Sequence, residues 1–292
     1  MFIDCHVHCL EVPSCPNPAN GKQIISTPEI LIKRYDEVGI ERGVILPIGC
    51  MDSTIFVQSN EEVLRICKNF PGRFIPFCNI DPRALFNTPT ARLDYALNYY
   101  KDLGFKGVGE VTANLDMDDL RVQNLFAAAN QAEMALTFHL ATQAGGTDGL
   151  IEEPGLKKLE KALQKFPDVK FFGHSQTFWA EISANPTKEE RDGYPEGKVT
   201  EGAIPQLMRK YPNLYGDISA GSGCNALARD EEYAVKFLNE FQDRLMFGTD
   251  ICANDTPTPL VDLMLKLKNQ GKISESVFNK VARENIIRIL AL

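Results

Sequence analysis

The chain has 292 residues, 44% of them apolar and 24% charged, with a formal net charge of −8. That length suits two ordinary domains or one large α/β barrel, and it buries enough surface to fold without disulfide staples. The acidic balance argues against a nucleic-acid or anionic-membrane surface, no apolar stretch reaches the roughly 20 residues of a membrane span, and of the eight cysteines Cys5, Cys50, Cys67 and Cys78 fall in or beside apolar runs, as reduced buried thiols do.

The first strand, Met1-Phe-Ile-Asp-Cys-His6-Val-His8, closes on two histidines two apart. On a strand that spacing turns both imidazoles to one face, and the opposite parity of Cys5 turns it toward the helices. Candidate functional residues so near the start leave no room for a secretory signal ahead of them, so a soluble cytoplasmic protein is expected. A loop rich in Pro, Asn and Gly runs from Glu11 to Ser26. A helix follows, with Thr27 as cap, Pro28 in its first turn, Ile30, Leu31, Tyr35 and Val38 at helical spacing, and Gly39 at its end. Gly43 to Ile48 is a continuous apolar run, the pattern of a strand buried on both faces.

The alternation then repeats. Helix is predicted over Glu61–Phe70 and strand over Phe74–Ile80, leading into Asp81-Pro82-Arg83. Helix from about Thr90 to Leu103 precedes a fourth strand, Lys106–Val111. Helix Asp118–Glu133 precedes strand Leu136–Leu140, and helix Glu153–Phe166 precedes strand Val169–His174. Helix Gly202–Tyr211 leads to strand Leu214–Ser219, and helix Glu231–Phe241 to strand Leu245–Asp250. Two more helices, about Pro259–Asn269 and Glu275–Ile289, close the chain.

Eight short strands separated by crossover helices imply a parallel sheet. The fold expected is a single-domain (β/α)8 barrel spanning residues 1–292 with an extra C-terminal helix. A doubly wound open sheet is the alternative, but it calls for a glycine-rich phosphate loop where this chain has Cys5-His-Val-His-Cys-Leu10. The segment Ser175–Thr200 breaks the rhythm. Its aromatic start, Gln176 to Glu181, reads as a pocket wall, and its charged remainder, Lys188–Lys198, as a lid or a solvated insertion.

The chemistry lies at the strand ends. The chain has four histidines, and besides His6 and His8 the other two, His139 and His174, also close predicted strands; Asp250 closes the eighth and Glu110 sits near the end of the fourth. Barrel active sites form at that rim, and imidazole with carboxylate is a donor set for borderline divalent metals. These residues resemble the amidohydrolase superfamily through Asp4-Cys-His6-Val-His8, His139, His174 and Gly248-Thr-Asp250. The texture of Asn79-Ile-Asp-Pro-Arg83 and Phe247-Gly-Thr-Asp250 is similar to the amidohydrolase-2 branch, which holds both hydrolases and non-oxidative decarboxylases related to aminocarboxymuconate-semialdehyde decarboxylase.

The resemblance implies a metal-dependent enzyme. His6, His8 and Asp250 would bind one divalent ion, zinc first and manganese second. His139 and His174 would bind another, or divide into ligand and catalytic base. Glu110 is positioned to bridge two ions, or to act as an ordinary rim carboxylate. Lys106, if carboxylated, would lie deeper. Hydrolysis of an amide, lactone or ester by metal-activated water is the leading expectation, with Asp250 moving the proton; non-oxidative decarboxylation is the alternative. Arg83, Phe178 and Trp179 are candidates for contact with a small-molecule substrate, and self-association is compatible with this reading.

Overall fold

A computed structural model describes residues 1–292. Its strands are β1 (Phe2–Val7), β2 (Ile40–Ile45), β3 (Phe74–Pro76), β4 (Gly107–Val111), β5 (Ala135–Ala141), β6 (Leu150–Ile151), β7 (Phe171–His174), β8 (Leu214–Asp217) and β9 (Leu245–Met246). The two-residue β6 is an addition that pairs with the end of β5 and stays outside the main order. The predicted sixth to eighth strands are therefore β7 to β9.

All pairings between neighbouring strands are parallel, in two runs, β1-β2-β3 and β4-β5-β7-β8-β9. The runs meet at both seams. Just beyond β3 the Cys78 N–H donates to the Gly107 carbonyl at 3.0 Å. At the other seam the Asp250 N–H donates to the His6 carbonyl at 2.8 Å and the His8 N–H to the Ile251 carbonyl at 3.1 Å. With no free edge left on either run, the eight principal strands form the expected barrel.

The helices form where local chemistry starts and stops them. Thr27 and Pro28 open Pro28–Val38, and Gly39, at φ 78°, ends it in the left-handed region that glycine enters freely. β2 then begins at Ile40, three residues earlier than the apolar run suggests, because the turn at Gly39 leads straight into the sheet. Ser59 and Asp119 accept from backbone N–H groups at the starts of Asn60–Asn69 and Leu120–Ala132.

Apolar packing has two layers. Helix stripes cover the outside of the strands, and a separate cluster fills the barrel interior, with Ile3, Cys5, Val44, Leu46, Ile75, Phe77, Phe172, Tyr215 and Met246. The chain end joins that inner cluster. Helices Glu275–Asn279 and Asn285–Leu290 are linked through a π-helical turn, Lys280–Glu284, and Ile286, Ile289 and Leu290 pack into the cluster from the bottom of the barrel. Asn285 fastens this plug by donating to the Leu245 carbonyl at 2.8 Å.

One expectation changes. The β1–β2 register shifts between Asp4 and Val7, a bulge-type irregularity that interrupts the strict alternation of side chains. Cys5 therefore faces the barrel interior rather than the helices, while Asp4 turns outward to accept from the Tyr35 hydroxyl at 2.7 Å. The segment after His174 is also largely ordered: helix Gln176–Ala180 follows at once, and a Thr187-capped helix spans Lys188–Arg191. Arg191 is buried 2.9 Å from Glu181, which anchors the stretch considered as a lid.

Candidate metal centre

His6 and His8 enter the barrel mouth from the end of β1, and each has one ring nitrogen fixed by an acceptor. The His6 Nδ1–H donates to Asp217 Oδ2 at 2.7 Å, and the His8 Nδ1–H to the Leu46 carbonyl at 2.9 Å. With the proton held on Nδ1, Nε2 carries a lone pair, and the two Nε2 atoms face each other 3.1 Å apart. Glu110 Oε2 lies 3.5 Å from both, and Asp250 Oδ1 lies 3.5 Å from His6 Nε2 and 3.4 Å from His8 Nε2. A set of lone pairs and carboxylates this close requires protons or a cation at its centre. A divalent ion about 2.0–2.2 Å from each donor sets neighbouring donors roughly 3.0–3.5 Å apart, so these four atoms fit one.

The second oxygen of each carboxylate points to the other two histidines. Glu110 Oε1 lies 2.7 Å from His139 Nδ1 and 3.7 Å from His174 Nε2, and Asp250 Oδ2 lies 3.7 Å from His174 Nε2. The His174 Nδ1 is held by the Ser219 hydroxyl at 3.0 Å. Glu110 and Asp250 thus divide their oxygens between the His6/His8 pair and the His139/His174 side. Lys106 is exposed at the start of β4, away from this group.

Local backbone explains the aim of each carboxylate. Gly109 has φ 130°, and a Cβ there would stand 2.5 Å from the Thr137 carbonyl, so only glycine lets β4 lie this close to β5 just before Glu110. Asp250 has φ 54°, a left-handed conformation that aspartate tolerates better than most residues. It turns the chain at the strand end and sends the carboxylate back over the mouth. Beneath, buried Asp4 accepts from the backbone N–H groups of His6 at 3.0 Å and Thr249 at 2.8 Å, tying the segments that carry His6 and Asp250 together.

Burial opposes charge at each of these groups, and the outcome depends on the neighbours. At His6 the carboxylates of Asp217, Glu110 and Asp250 outweigh burial and hold the imidazole well above its usual range. Hydrogen bonds with Asp250 and Glu110 likewise overcome burial at His8 and raise it to about 9. Against burial, His6 and His139 hold Glu110 well below the ordinary carboxylate range, and His6 and His174 hold Asp217 at about 2. His6 and His8 lower Asp250 in the same way. At His174, burial and the charge of His6 both act downward. Without metal the centre stores protons on His6 and His8, the nitrogens a divalent cation would take over.

Asp217 was missed in the sequence, although Leu214-Tyr-Gly-Asp217 carries the same signal as Asp250, an apolar run closed by a carboxylate. Its two oxygens serve His6 and, at 3.4 Å, His174, as well as the Ser219 N–H at 3.0 Å. Three residues expected at the substrate do other work. Phe178 and Trp179 are buried beneath the rim, filling space left by missing Cβ atoms: a Cβ on Gly173 would meet the Phe178 ring at 2.2 Å, and one on Gly216 the Trp179 ring at 3.0 Å. The Trp179 indole donates to the Asp217 carbonyl at 2.8 Å and so supports that strand end. Arg83 is engaged by Asp81 and Asp52, each at 2.6 Å, and lies outside the cavity lining.

The cavity above the histidines, about 220 Å³, is built from strand ends and the loops that follow strands. Ile24, Ile25, Pro47 and Ile48 give it an apolar wall; Ser53, Thr54, Thr112, Asp148 and Cys252 complete it with His8, Glu110, His139 and Asp250. The Cys252 Sγ sits near His8 and Asp250, but burial and the Asp250 charge hold its pKa well above the usual thiol range. All eight cysteines are free, and no helix is long and apolar enough to cross a membrane.

This barrel with a histidine-carboxylate rim is of the amidohydrolase class. The amidohydrolase family model matches residues 3–292, and the chain belongs to that family. No curated protein sequence matches it. Among solved structures it is similar to 5-carboxyvanillate decarboxylase of Novosphingobium aromaticivorans, complexed with manganese and a nitrobenzoic acid, at 17% identity and TM-score 0.64, covering 100% of this chain and 96% of that one. It is also similar to 2,6-dihydroxybenzoate decarboxylase from Rhizobium, at 14% identity and TM-score 0.60, covering 99% and 98%. A third is a probable 2-pyrone-4,6-dicarboxylic acid hydrolase of Acinetobacter baumannii with citric acid bound, at 11% identity and TM-score 0.57, covering 100% and 99%.

Proposed function

We propose that this enzyme is a metal-dependent hydrolase of a small amide, lactone or ester. The carrying observation is the divided carboxylates. Glu110 Oε2 and Asp250 Oδ1 face His6 and His8, while Glu110 Oε1 and Asp250 Oδ2 face the His139/His174 side. In this reading His6, His8, Glu110 and Asp250 would hold one divalent ion, and His139, His174 and Glu110 would hold a second, with zinc the first candidate and manganese the next. Such ions acidify water and polarise a carbonyl. Asp250, with a carboxylate 23% exposed to the cavity, accepts the proton of the attacking water and hands it to the leaving group. Asp217 and Ser219 keep His6 and His174 oriented through Nδ1.

A second reading is non-oxidative decarboxylation of a carboxylated small molecule, with one ion and His174 free to protonate substrate. The named relatives favour it over hydrolysis, since two of the three are decarboxylases and one of these binds manganese. The lining speaks against it: no lysine or arginine faces the cavity to hold a carboxylate, and Arg83 is already paired. The test is a parallel assay of zinc- and manganese-loaded enzyme on a lactone, ester and amide panel, and on 2,6-dihydroxybenzoate and 5-carboxyvanillate. Metal-dependent hydrolysis without carbon dioxide release is expected; carbon dioxide release from either acid overturns the hydrolase reading.

A further inference from the structure

Resting on the hydrolase reading, we infer that Asp148 selects the substrate, and that this substrate is a small carbonyl compound carrying an ammonium or amine group. Glu110, Asp250 and the histidines facing the cavity are metal donors in that reading, so their charge is directed at the ions. Of the remaining lining residues Asp148 alone is charged, and its carboxylate has no hydrogen bond or ion pair from the protein. In the adjoining cleft, which Asp148 also lines, the other charged groups are engaged: Asp192 with Lys188 and Arg191 with Glu181.

Asp148 is also held in position before any ligand arrives. The Gly149 N–H that follows it donates to the Thr112 carbonyl at 2.8 Å. Asn114 braces the same loop, donating to the Gly149 carbonyl at 3.2 Å and accepting from the Gly145 N–H at 2.6 Å. Gly149 packs directly on the ring of His139, where a Cβ would meet Cδ2 at 2.8 Å. A partly buried, preorganised carboxylate beside a metal-binding floor favours a cation and rejects an anion.

The test uses metal-loaded enzyme and three hydroxamates of matched size, whose chelating heads engage the metal while their tails differ: glycine hydroxamate (ammonium), propionohydroxamate (neutral) and the monohydroxamate of malonic acid (carboxylate). Calorimetry should rank them ammonium, neutral, carboxylate, with about five- to tenfold between steps. Asp148→Asn should compress the first step to under twofold, and Asp148→Lys should reverse the order. Binding with no such ranking in the wild-type enzyme, or a ranking that survives Asp148→Asn, overturns the inference while leaving the metal centre intact. No binding by any of the three overturns the metal-centre reading and this inference with it.

Discussion

Replacing Asp217 by asparagine changes one oxygen and removes one charge, yet it acts on the histidine that faces both Glu110 and Asp250. Asp217 Oδ2 accepts from His6 Nδ1 at 2.7 Å, and Oδ1 accepts from the Ser219 N–H at 3.0 Å and the Cys5 thiol at 3.2 Å. Asparagine cannot satisfy both sides. If its carbonyl faces His6, its NH2 meets the Ser219 N–H, donor against donor. If it flips, the NH2 meets His6 Nδ1 and drives the ring proton to Nε2, the atom that faces Glu110 and Asp250. The first arrangement exchanges a charge-assisted bond for a neutral one, a loss of about 1 kcal/mol, and leaves a buried donor unpaired at a further cost of about 1 kcal/mol or more. Each 1.4 kcal/mol is roughly tenfold in affinity, so metal binding should weaken about 10- to 100-fold. Competition against a chromophoric chelator measures this directly, with circular dichroism checking the fold. Native metal affinity in a folded Asp217→Asn variant refutes the claim that Asp217 orients His6.

Three further outcomes are expected. Asp250→Asn should lower turnover by at least about a hundredfold with little change in melting temperature; wild-type turnover removes Asp250 from the proton path. In metal-free protein, His8 has a pKa raised from 6.5 to about 9, so the stability it contributes is fully present below pH 6.5 and is lost as pH rises through 9. The metal-free melting temperature should fall over that window, and the metal-loaded one should not, because metal replaces the proton; chelator competition should show affinity rising over the same range. Finally, Ile286→Ala should cost about 2–5 kcal/mol in denaturant unfolding, since Ile286 is 2% exposed in the plug below the barrel. A cost under 1 kcal/mol would mean the plug does little to hold the barrel together.

The strand-end pattern was legible because barrel physics is periodic: buried parallel strands read as apolar runs, and functional groups appear where the runs stop. That logic locates His6, His8, Glu110, His139, His174 and Asp250 at one rim, and the structure brings all six together. It equally flags Asp217, which reads as an ordinary acidic residue until its distance to His6 is known. The Cys5 orientation was not legible, because a single register shift inverts side-chain parity and leaves no mark in an apolar strand. The burial of Phe178 and Trp179 depends on slots opened by Gly173 and Gly216, residues remote in sequence from at least one of the rings they admit. Arg83 follows a local rule, an aspartate two residues earlier forming a closed ion pair, but its second partner, Asp52, comes from the loop after another strand. Asp148 gives no pattern at all in the sequence; its isolation from any partner emerges only when the cavity wall is assembled.

The claim on which the account turns is that Glu110 would serve two divalent ions, one held with His6, His8 and Asp250 and the other with His139 and His174. Elemental analysis of purified, metal-reconstituted protein tests it most directly, paired with the same measurement on Glu110→Gln. The account predicts two divalent ions per chain in the wild-type protein and at most one tightly held ion in the variant. A single tightly held ion in fully active wild-type protein contradicts it, and would return the choice of reaction to the decarboxylase reading.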